Sequence, residues 1–341
     1  MRFHINLIMA TDNNRCIELD IIKFWAIILV VLGHVAVFYS PSPLFKPLIG
    51  SDFMAACQRI IYSFHMPLFI FVSGCVYGFQ VECLNKKQDT KTFFIKKWKL
   101  LMIPYIIFGL FYVAPFLVLW GYRDNYFSYV YDGIILSHDA RHLWYVWALF
   151  NIFIIFYAIS KLIDHFNWPQ YILLIFAIGC LIIANKIPYV FQISSAFKFM
   201  LWFILGYLMI AYKEIYLLKS ISKWGICFGI VILAIQIFFP DISFPGRQTI
   251  YSLGGIVFFY SLSCNLKNIA EWSLFKLVIK DSYGVYLFHP ILIYLMFHYW
   301  GHENISPILL STIIFFISFM VSLLLAELTR RYKLGFIIGE K

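Results

Sequence analysis

The sequence predicts an all-α fold, a polytopic transmembrane helix bundle of about ten helices with both termini in the cytoplasm. Of the 341 residues, 62% are hydrophobic and only 13% are charged, whereas soluble domains average about 25% charged residues. The 37 Phe and 23 Tyr residues suit lipid-facing and interfacial surfaces. In addition, ten apolar runs are close to the length that a helix needs to cross the hydrocarbon core.

These runs follow one another without a long break, at residues 20–39, 57–79, 100–120, 142–160, 169–185, 196–212, 222–239, 248–265, 281–299 and 306–328. The longest predicted outer loop, about 121–141, is too short for a soluble domain. Residues 1–341 are therefore predicted to form a single integral membrane domain, with short cytoplasmic tails at about 1–18 and 329–341. No cleavable signal peptide is expected, because the first ten residues lack a basic region followed by a small-residue cleavage site.

Basic residues predict the orientation, because cytoplasmic loops carry an excess of Lys and Arg. With a cytoplasmic N-terminus, the outer loops contain only Lys46, Arg123, Arg141, Lys186 and Arg247. The inner loops and the C-terminal tail then contain Lys86, Lys87, Lys91, Lys96, Lys97, Lys99, Lys161, Lys213, Lys219, Lys223, Lys267, Lys276, Lys280, Arg330, Arg331, Lys333 and Lys341. The net charge of +10 therefore reflects orientation and does not indicate a nucleic-acid partner.

The cysteines indicate neither a metal site nor a disulfide framework. They are scattered, most of them lie in apolar runs, and no pair has the spacing of metal ligands or of a disulfide motif. We interpret them as small buried hydrophobic residues. The seven are Cys16, Cys57, Cys75, Cys83, Cys180, Cys227 and Cys264.

The first predicted helix carries three ionisable groups within "LDIIKFWAIILVVLGH", Leu19 to His34. Eleven residues make about three helical turns, so Lys23 and His34 share one face, about 16 Å apart along the axis. Asp20 precedes Lys23 by one turn and lies near the same face. Because an ionisable residue inside a membrane span is by default a functional-site hypothesis, this stripe is predicted to be functional.

Simpler interpretations of the same residues stay open. Asp20 and Lys23 can form an interfacial ion pair in which the lysine extends toward the headgroups. His34 can be a polar residue that is hydrogen-bonded to a neighbouring helix.

The second predicted helix contains "YSFHMPLFIFVSG", Tyr62 to Gly74, which places His65 at a depth similar to that of His34. Arg59 lies one to two turns further out. Neutral imidazole has an unperturbed pKa near neutrality, which suits proton abstraction from a hydroxyl group. His34 and His65 are therefore the candidate catalytic residues. A third and a fourth metal ligand cannot be assembled around them, so no metal site is predicted.

Three motifs in the first third of the chain resemble the acyltransferase 3 family, integral membrane O-acyltransferases of bacteria and some eukaryotes. The Lys23-x₁₀-His34 spacing is similar to the Arg/Lys-x₁₀-His signature of the first helix in that family. "FHMPLFIFVSG" resembles the second helix of its sugar and polysaccharide O-acetylase branch. "FFIKKWKLLMIPY" resembles the basic motif before the third helix, with Lys96 and Lys99 in place of the usual Arg-x-x-Arg.

Two later motifs extend the resemblance to residue 290. "RHLWYVWALF" contains His142 and Trp144, and "DSYGVYLFHP" contains Ser282, Tyr286 and His289. With Arg59, these five residues are candidates for lining a pore or binding the acceptor. The alternatives are that Trp144 belongs to the interfacial aromatic belt and that His289 makes a hydrogen bond between helices.

The resemblance implies an enzyme of the bacterial cytoplasmic (inner) membrane. Such proteins transfer an acyl group, most often acetyl, from cytoplasmic acyl-CoA to a hydroxyl of a glycan or glycolipid at the outer face. The implied partners are thus acyl-CoA, the glycan or glycolipid acceptor and membrane lipids, with acetyl-CoA as a co-substrate and no bound cofactor. The histidine of the first helix is regarded as essential in that family, which corresponds to His34.

The resemblance and the charges together give each candidate a role. The lysines at 86–99 would attract the phosphates of acyl-CoA, although orientation bias and anionic lipids also explain such a cluster. Lys23, paired with Asp20, would line the route of the donor. His34 would deprotonate the acceptor hydroxyl or accept the acyl group transiently, and His65 would assist. Both basic motifs have lysine where the family usually has arginine. Lysine provides a point charge, whereas arginine can form two parallel hydrogen bonds to one phosphate or carboxylate.

The main alternative is a proton-coupled transporter or flippase, in which Asp20, Lys23, His34 and His65 form a relay. This alternative predicts helices broken at the midplane in corresponding positions of two halves, and the sequence has no clear pair of such breaks. A membrane scaffold without chemistry is disfavoured by the ionisable stripe.

Overall fold

The computed structural model describes residues 16–41, 46–212, 222–239, 242 and 246–340. These ranges contain helices, turns and no strand, which confirms the all-α prediction for the described part of the chain. The ten longer helices in these ranges are α1 (Ile17–Ala36), α2 (Asp52–Gly78), α3 (Thr90–Leu119), α4 (Trp144–His165), α5 (Ile172–Ile183), α6 (Ile193–Ala211), α7 (Ser222–Phe238), α8 (Arg247–Asn265), α9 (Ser273–Trp300) and α10 (Pro307–Arg331).

Several of these helices have the length and composition of membrane spans. Six helical segments in the described ranges qualify: Ile17–Tyr39, Asp52–Cys83, Thr90–Leu119, Arg141–His165, Ile193–Ala211 and Pro307–Arg331. They support a multi-pass membrane protein. The number of ten crossings and the cytoplasmic location of both termini stay predictions.

Each predicted apolar run coincides with one helix, but three helices begin earlier than the hydropathy indicates. α2 begins at Asp52 instead of 57, α3 at Thr90 instead of 100, and α9 at Ser273 instead of 281. Backbone hydrogen bonding continues a helix through polar residues of the interfacial region, where hydropathy no longer marks it. Outside the described residues lie most of the predicted N-terminal tail and the basic residues Lys213, Lys219 and Lys341.

Helix α1 lies at the centre of the bundle, in contact with α2, α8, α9 and α10. The side chains of Ile21, Ile22 and Ile27 are fully buried, as expected for a helix that is apolar on most of its surface. This packing fixes the rotation of α1 about its axis, and it therefore fixes the directions in which Lys23 and His34 project.

Helices α2 and α6 approach each other at two glycines. A Cβ atom at Gly74 would lie 2.0 Å from the carbonyl oxygen of Phe203, and one at Gly206 would lie 2.1 Å from that of Phe71. Small residues let membrane helices pack backbone to backbone, where dispersion contacts replace a hydrophobic driving force. The crossing therefore holds α6 directly against the helix that carries His65.

Helix α3 has three α-helical segments joined by π turns at Trp98–Met102 and Gly109–Val113. A proline, Pro104 or Pro115, follows closely after each π turn. Proline lacks an N–H, and a locally widened turn accommodates the lost hydrogen bond. At the start of α3, Asp89 accepts a hydrogen bond from the backbone N–H of Thr92 at 3.0 Å, which holds the pKa of Asp89 below its usual value.

A buried ion pair ties α9 to α10 at the predicted cytoplasmic end. The carboxylate of Asp281, which is 1% exposed, contacts the guanidinium of Arg330. Arg330 also contacts Glu340 at 2.6 Å, so the C-terminal segment folds back onto this pair. This end of α9 is thereby fixed five residues before Tyr286.

Candidate active site

Three neighbouring cavities lie within the bundle. The histidine cavity, of about 440 Å³, is lined by His34, His65 and His142 among others. The apolar cavity, of about 320 Å³, lies mainly among aliphatic and aromatic side chains and includes Lys23. The basic cavity, of about 120 Å³, lies among lysines at the end of the bundle where α2 and α4 finish and α3 begins.

The hydrogen bonds of the histidines define which ring nitrogen is basic. Nδ1 of His34 is 2.9 Å from the carbonyl oxygen of Val30. Because a carbonyl oxygen can only accept, we assign the proton to Nδ1, which leaves the lone pair of the neutral ring on Nε2. His65 and His289 make the same bond, at 2.8 Å, to the carbonyl four residues earlier. Each of these three rings therefore has a basic Nε2.

His34 and His289 are direct neighbours. Their ring centroids lie 4.8 Å apart with an interplanar angle of 79°. His289 is fully buried, and its Nε2 has no hydrogen-bond partner among the described residues. The ring of His142 lies 6.2 Å from that of His289, and its backbone carbonyl accepts a hydrogen bond from the hydroxyl of Tyr286. The motif of α9 thus contacts both the first helix and the start of α4.

His34 and His65 both line the histidine cavity, with Tyr62 beside both rings. The ring of Tyr62 stacks on His65 at a centroid distance of 4.8 Å and lies edge-on to His34 at 6.3 Å. The two histidines, for which the sequence predicts similar depths, therefore lie beside the same cavity. His142, Trp144 and the candidate Tyr286 line the same cavity.

The apolar cavity adjoins this site along α1. Lys23 lines it, and the Nζ of Lys23 lies 3.3 Å from Oδ1 of Asp20, as the spacing of the two residues predicted. Ser282 also lines this cavity, beside Tyr283 and Tyr286. The stripe of α1 thus connects two cavities, with Lys23 in one and His34 in the other.

The basic cavity contains more lysines than carboxylates. Glu82 and Asp164 line it, as do five lysines: Lys86, Lys87, Lys96, Lys97 and Lys161. Lys97 is only 9% exposed, and its Nζ lies 3.3 Å from the centroid of the Phe153 ring, a cation–π contact. The cavity therefore has the charge expected of a site for a polyanion.

Shared lining residues show that the three cavities are adjacent. Tyr77, Gln80 and Lys97 line both the basic and the apolar cavity. The apolar and histidine cavities have three lining residues in common, namely Val30, Met66 and Tyr286. The series therefore extends from the lysine cluster at one end of the bundle to the histidines near the other.

The predicted pair of Lys96 and Lys99 is not found together at a cavity. Lys96 lines the basic cavity, whereas Lys99 is exposed and is absent from the linings of all three cavities in the described part of the chain. Lys97 lies between the basic and apolar cavities. It belongs to a buried stripe with Phe93 and Leu101, spaced by four residues along α3. That apolar spacing could have identified Lys97 from the sequence.

The structure changes which of two further residues belongs to the histidine cavity. Arg59, predicted near the acceptor, is exposed on α2 and does not line the histidine cavity in the described chain. Lys198, which the sequence reasoning passed over within the run 196–212, does line it. Lys198 could have been identified by the criterion that identified His34, because both are ionisable residues inside an apolar run.

The described residues contain no group of three or more His, Cys, Asp or Glu side chains arranged to hold a metal ion. All seven cysteines are free thiols.

Comparison with known proteins identifies the family of this chain. The family model for the acyltransferase domain of the acyltransferase 3 family matches residues 17–327, which include all three cavities. No curated protein and no solved structure matches the chain significantly. Because the family model covers most of the chain, the protein belongs to the acyltransferase 3 family.

Proposed function

We propose that this acyltransferase is an acyl-CoA-dependent O-acyltransferase, most simply an O-acetyltransferase. It moves the acyl group from cytoplasmic acyl-CoA to a hydroxyl of a surface glycan, a lipid-linked sugar or a related acceptor. The observation that carries the proposal is the series of cavities from the lysine cluster to His34. A donor with a polyanionic head and a long thin arm matches the order of these cavities.

The basic cavity binds the phosphate groups of the donor. Lys96 and Lys97 act there in place of the predicted pair of Lys96 and Lys99, because Lys99 is exposed and Lys97 faces inward. The pantetheine arm lies in the apolar cavity, whose walls are mainly aliphatic and aromatic. Lys23 lies on that route, held by Asp20.

The acyl transfer takes place in the histidine cavity. Nε2 of His34 takes the proton from the acceptor hydroxyl, and the hydroxyl oxygen attacks the thioester carbonyl carbon. A new C–O bond forms, the C–S bond breaks, and the thiolate of CoA leaves and takes up the proton. His65 orients the acceptor. His289, 4.8 Å from His34 between ring centroids, stabilises the imidazolium by accepting from its Nε2–H.

The test is the acyl content of glycans and glycolipids in cells that carry wild-type protein or single variants. His34→Ala should lower acyl transfer by about 10²-fold to 10⁴-fold, the contribution of a positioned general base. His165→Ala is the matched control, because His165 is exposed at the end of α4 and lines none of the three described cavities. Mass spectrometry would identify both the acyl group and the acceptor.

Normal acyl transfer by His34→Ala would overturn the proposal. An unchanged glycan and lipid profile, together with substrate flux across vesicles without consumption of acyl-CoA, would favour the transporter alternative. Detection of a labelled acyl group on His34 after an acid quench would show that transfer passes through a covalent acyl-histidine and is not direct.

A further inference from the structure

Lys198 is a charged residue in an unusual place. It lies within the candidate span Ile193–Ala211, more than one turn after α6 begins. Its side chain is exposed, and it lines the histidine cavity together with His34. An intramembrane ionisable side chain is energetically unfavourable and is generally associated with a substrate or ion route. Its position at this cavity therefore favours a ligand that carries a negative charge.

The charge of this cavity has one sign only in the described chain, and it is positive. Among its described lining residues there is no Asp, Glu or Arg, and Lys198 is the one lysine. No ion pair involving Lys198 is formed with the described acidic residues. A lysine ammonium is a compact point charge that pairs well with a carboxylate or a phosphate. The cavity thus has an anion-binding group but no internal partner that neutralises it.

The walls beside Lys198 suit a sugar ring. Trp144, Phe199 and Trp202 line the cavity, and the rings of Trp144 and Phe199 lie 5.6 Å apart between centroids. Flat aromatic surfaces provide apolar contact area, while a few polar groups fix the orientation of a ligand. On the facing helix α8, polar groups are supplied by Gln248, Thr249 and Ser252.

We propose that the acceptor is an anionic sugar, whose carboxylate or phosphate group is bound by Lys198 while one of its hydroxyls lies at Nε2 of His34. This inference rests on the proposed function, because it assumes that the histidine cavity holds the acyl acceptor. It adds the chemical class of that acceptor. Lys198 binds the charged group and takes no part in the proton transfer.

The first experiment identifies the product. Glycans and glycolipids from cells with wild-type protein and with His34→Ala are compared by mass spectrometry, and the species acylated only by the wild type is isolated. We expect this species to carry a carboxylate or a phosphate, and phosphatase treatment with fragmentation distinguishes the two. A neutral product would overturn the inference and leave the proposed function intact. The absence of any acylated species would overturn the proposed function itself.

The second experiment measures acyl transfer to the isolated, deacylated acceptor by purified protein. Lys198→Gln should raise KM for this acceptor about tenfold to a hundredfold, because a hydrogen bond to a charged group is lost. The value of kcat and the KM for acetyl-CoA should stay within about twofold, and Lys198→Arg should restore most of the affinity.

Lys186→Gln is the matched control, because Lys186 is an exposed cation that precedes α6 and does not line the described cavity. If Lys198 only extends toward lipid headgroups, Lys198→Gln and Lys186→Gln would have equal, small effects on acceptor KM. That result would overturn the inference.

Discussion

His34 and His289 lie with their ring centroids 4.8 Å apart, although one residue is in the first helix and the other in the ninth. Both rings donate Nδ1–H to the carbonyl four residues earlier, so both present an Nε2 lone pair. Two lone pairs cannot hydrogen-bond to each other. Once His34 has taken a proton on Nε2, however, we expect its N–H to donate to the Nε2 lone pair of His289. The pair is therefore suited to stabilising the imidazolium of His34.

The first prediction concerns His289→Gln. Glutamine keeps a polar group of similar reach, but its amide oxygen is a weaker hydrogen-bond acceptor than an imidazole nitrogen, and its NH2 group cannot accept. We expect kcat to fall about tenfold to a hundredfold, because a charge-assisted hydrogen bond to the protonated base is weakened. KM for donor and acceptor should change little. The measurement is steady-state acyl transfer at several pH values with purified protein.

A structural role for His289 would give a different result. In that case His289→Gln would lower thermal stability and the amount of folded protein, while kcat per folded molecule and the shape of its pH profile would match the wild type. His165→Gln, at an exposed position, provides the control for the substitution itself.

The second prediction separates Lys97 from Lys99. Lys97→Met keeps the aliphatic stem but removes the charge between the basic and apolar cavities. We expect binding of CoA to weaken about tenfold, because a charged contact with a phosphate is lost. Lys99→Met, at an exposed position of the same helix, should leave binding unchanged. Isothermal titration of CoA into solubilised protein measures both, and an equal loss in the two variants would contradict the assignment.

The third prediction tests the connection between the cavities. Ser73 lines the apolar cavity, and its hydroxyl donates to the carbonyl oxygen of Phe69 at 2.9 Å. Ser73→Phe would fill this space, so acyl transfer should fall by about 10²-fold or more because the thioester is kept from His34. Binding of CoA at the basic cavity should persist, because Ser73 does not line it.

Thr312→Phe is the control for Ser73→Phe. Its hydroxyl makes the same type of bond, to the carbonyl oxygen of Ile308 at 2.7 Å, but Thr312 is exposed on α10. A rate of acyl transfer by Ser73→Phe equal to that of the wild type would show that the pantetheine arm of the donor does not cross the apolar cavity.

The helices could be predicted from the sequence because their apolar runs are long and interrupted by polar loops. The face shared by Lys23 and His34 could be predicted as well, because helical geometry fixes positions within one helix. The contact of His34 with His289 could not, since it depends on α9 packing against α1, and the order of helices around α1 is a property of the whole bundle.

The basic motif illustrates a different difficulty. A spacing of three residues places Lys96 and Lys99 on neighbouring positions of one helix face, so the motif alone favoured that pair. The structure turns this face outward at Lys99 and buries Lys97. The face of α3 that points inward contains the buried stripe of Phe93, Lys97 and Leu101. The spacing of these residues by four indicates that face from the sequence, whereas the three lysines of the motif do not.

The fourth prediction concerns the crossing of α2 and α6. A methyl group at Gly206 would lie 2.1 Å from the carbonyl oxygen of Phe71, so Gly206→Ala must push the two backbones apart. Overpacking of this kind lowers stability by about 1–3 kcal/mol, and the melting temperature of the solubilised protein should fall. Gly179→Ala makes the same change on α5, where a Cβ has no neighbour within 4 Å among the described residues, and should leave the melting temperature unchanged or raise it. Equal melting temperatures for the two variants would mean that the helices separate without a penalty, and that α6 is not held against α2 by this crossing.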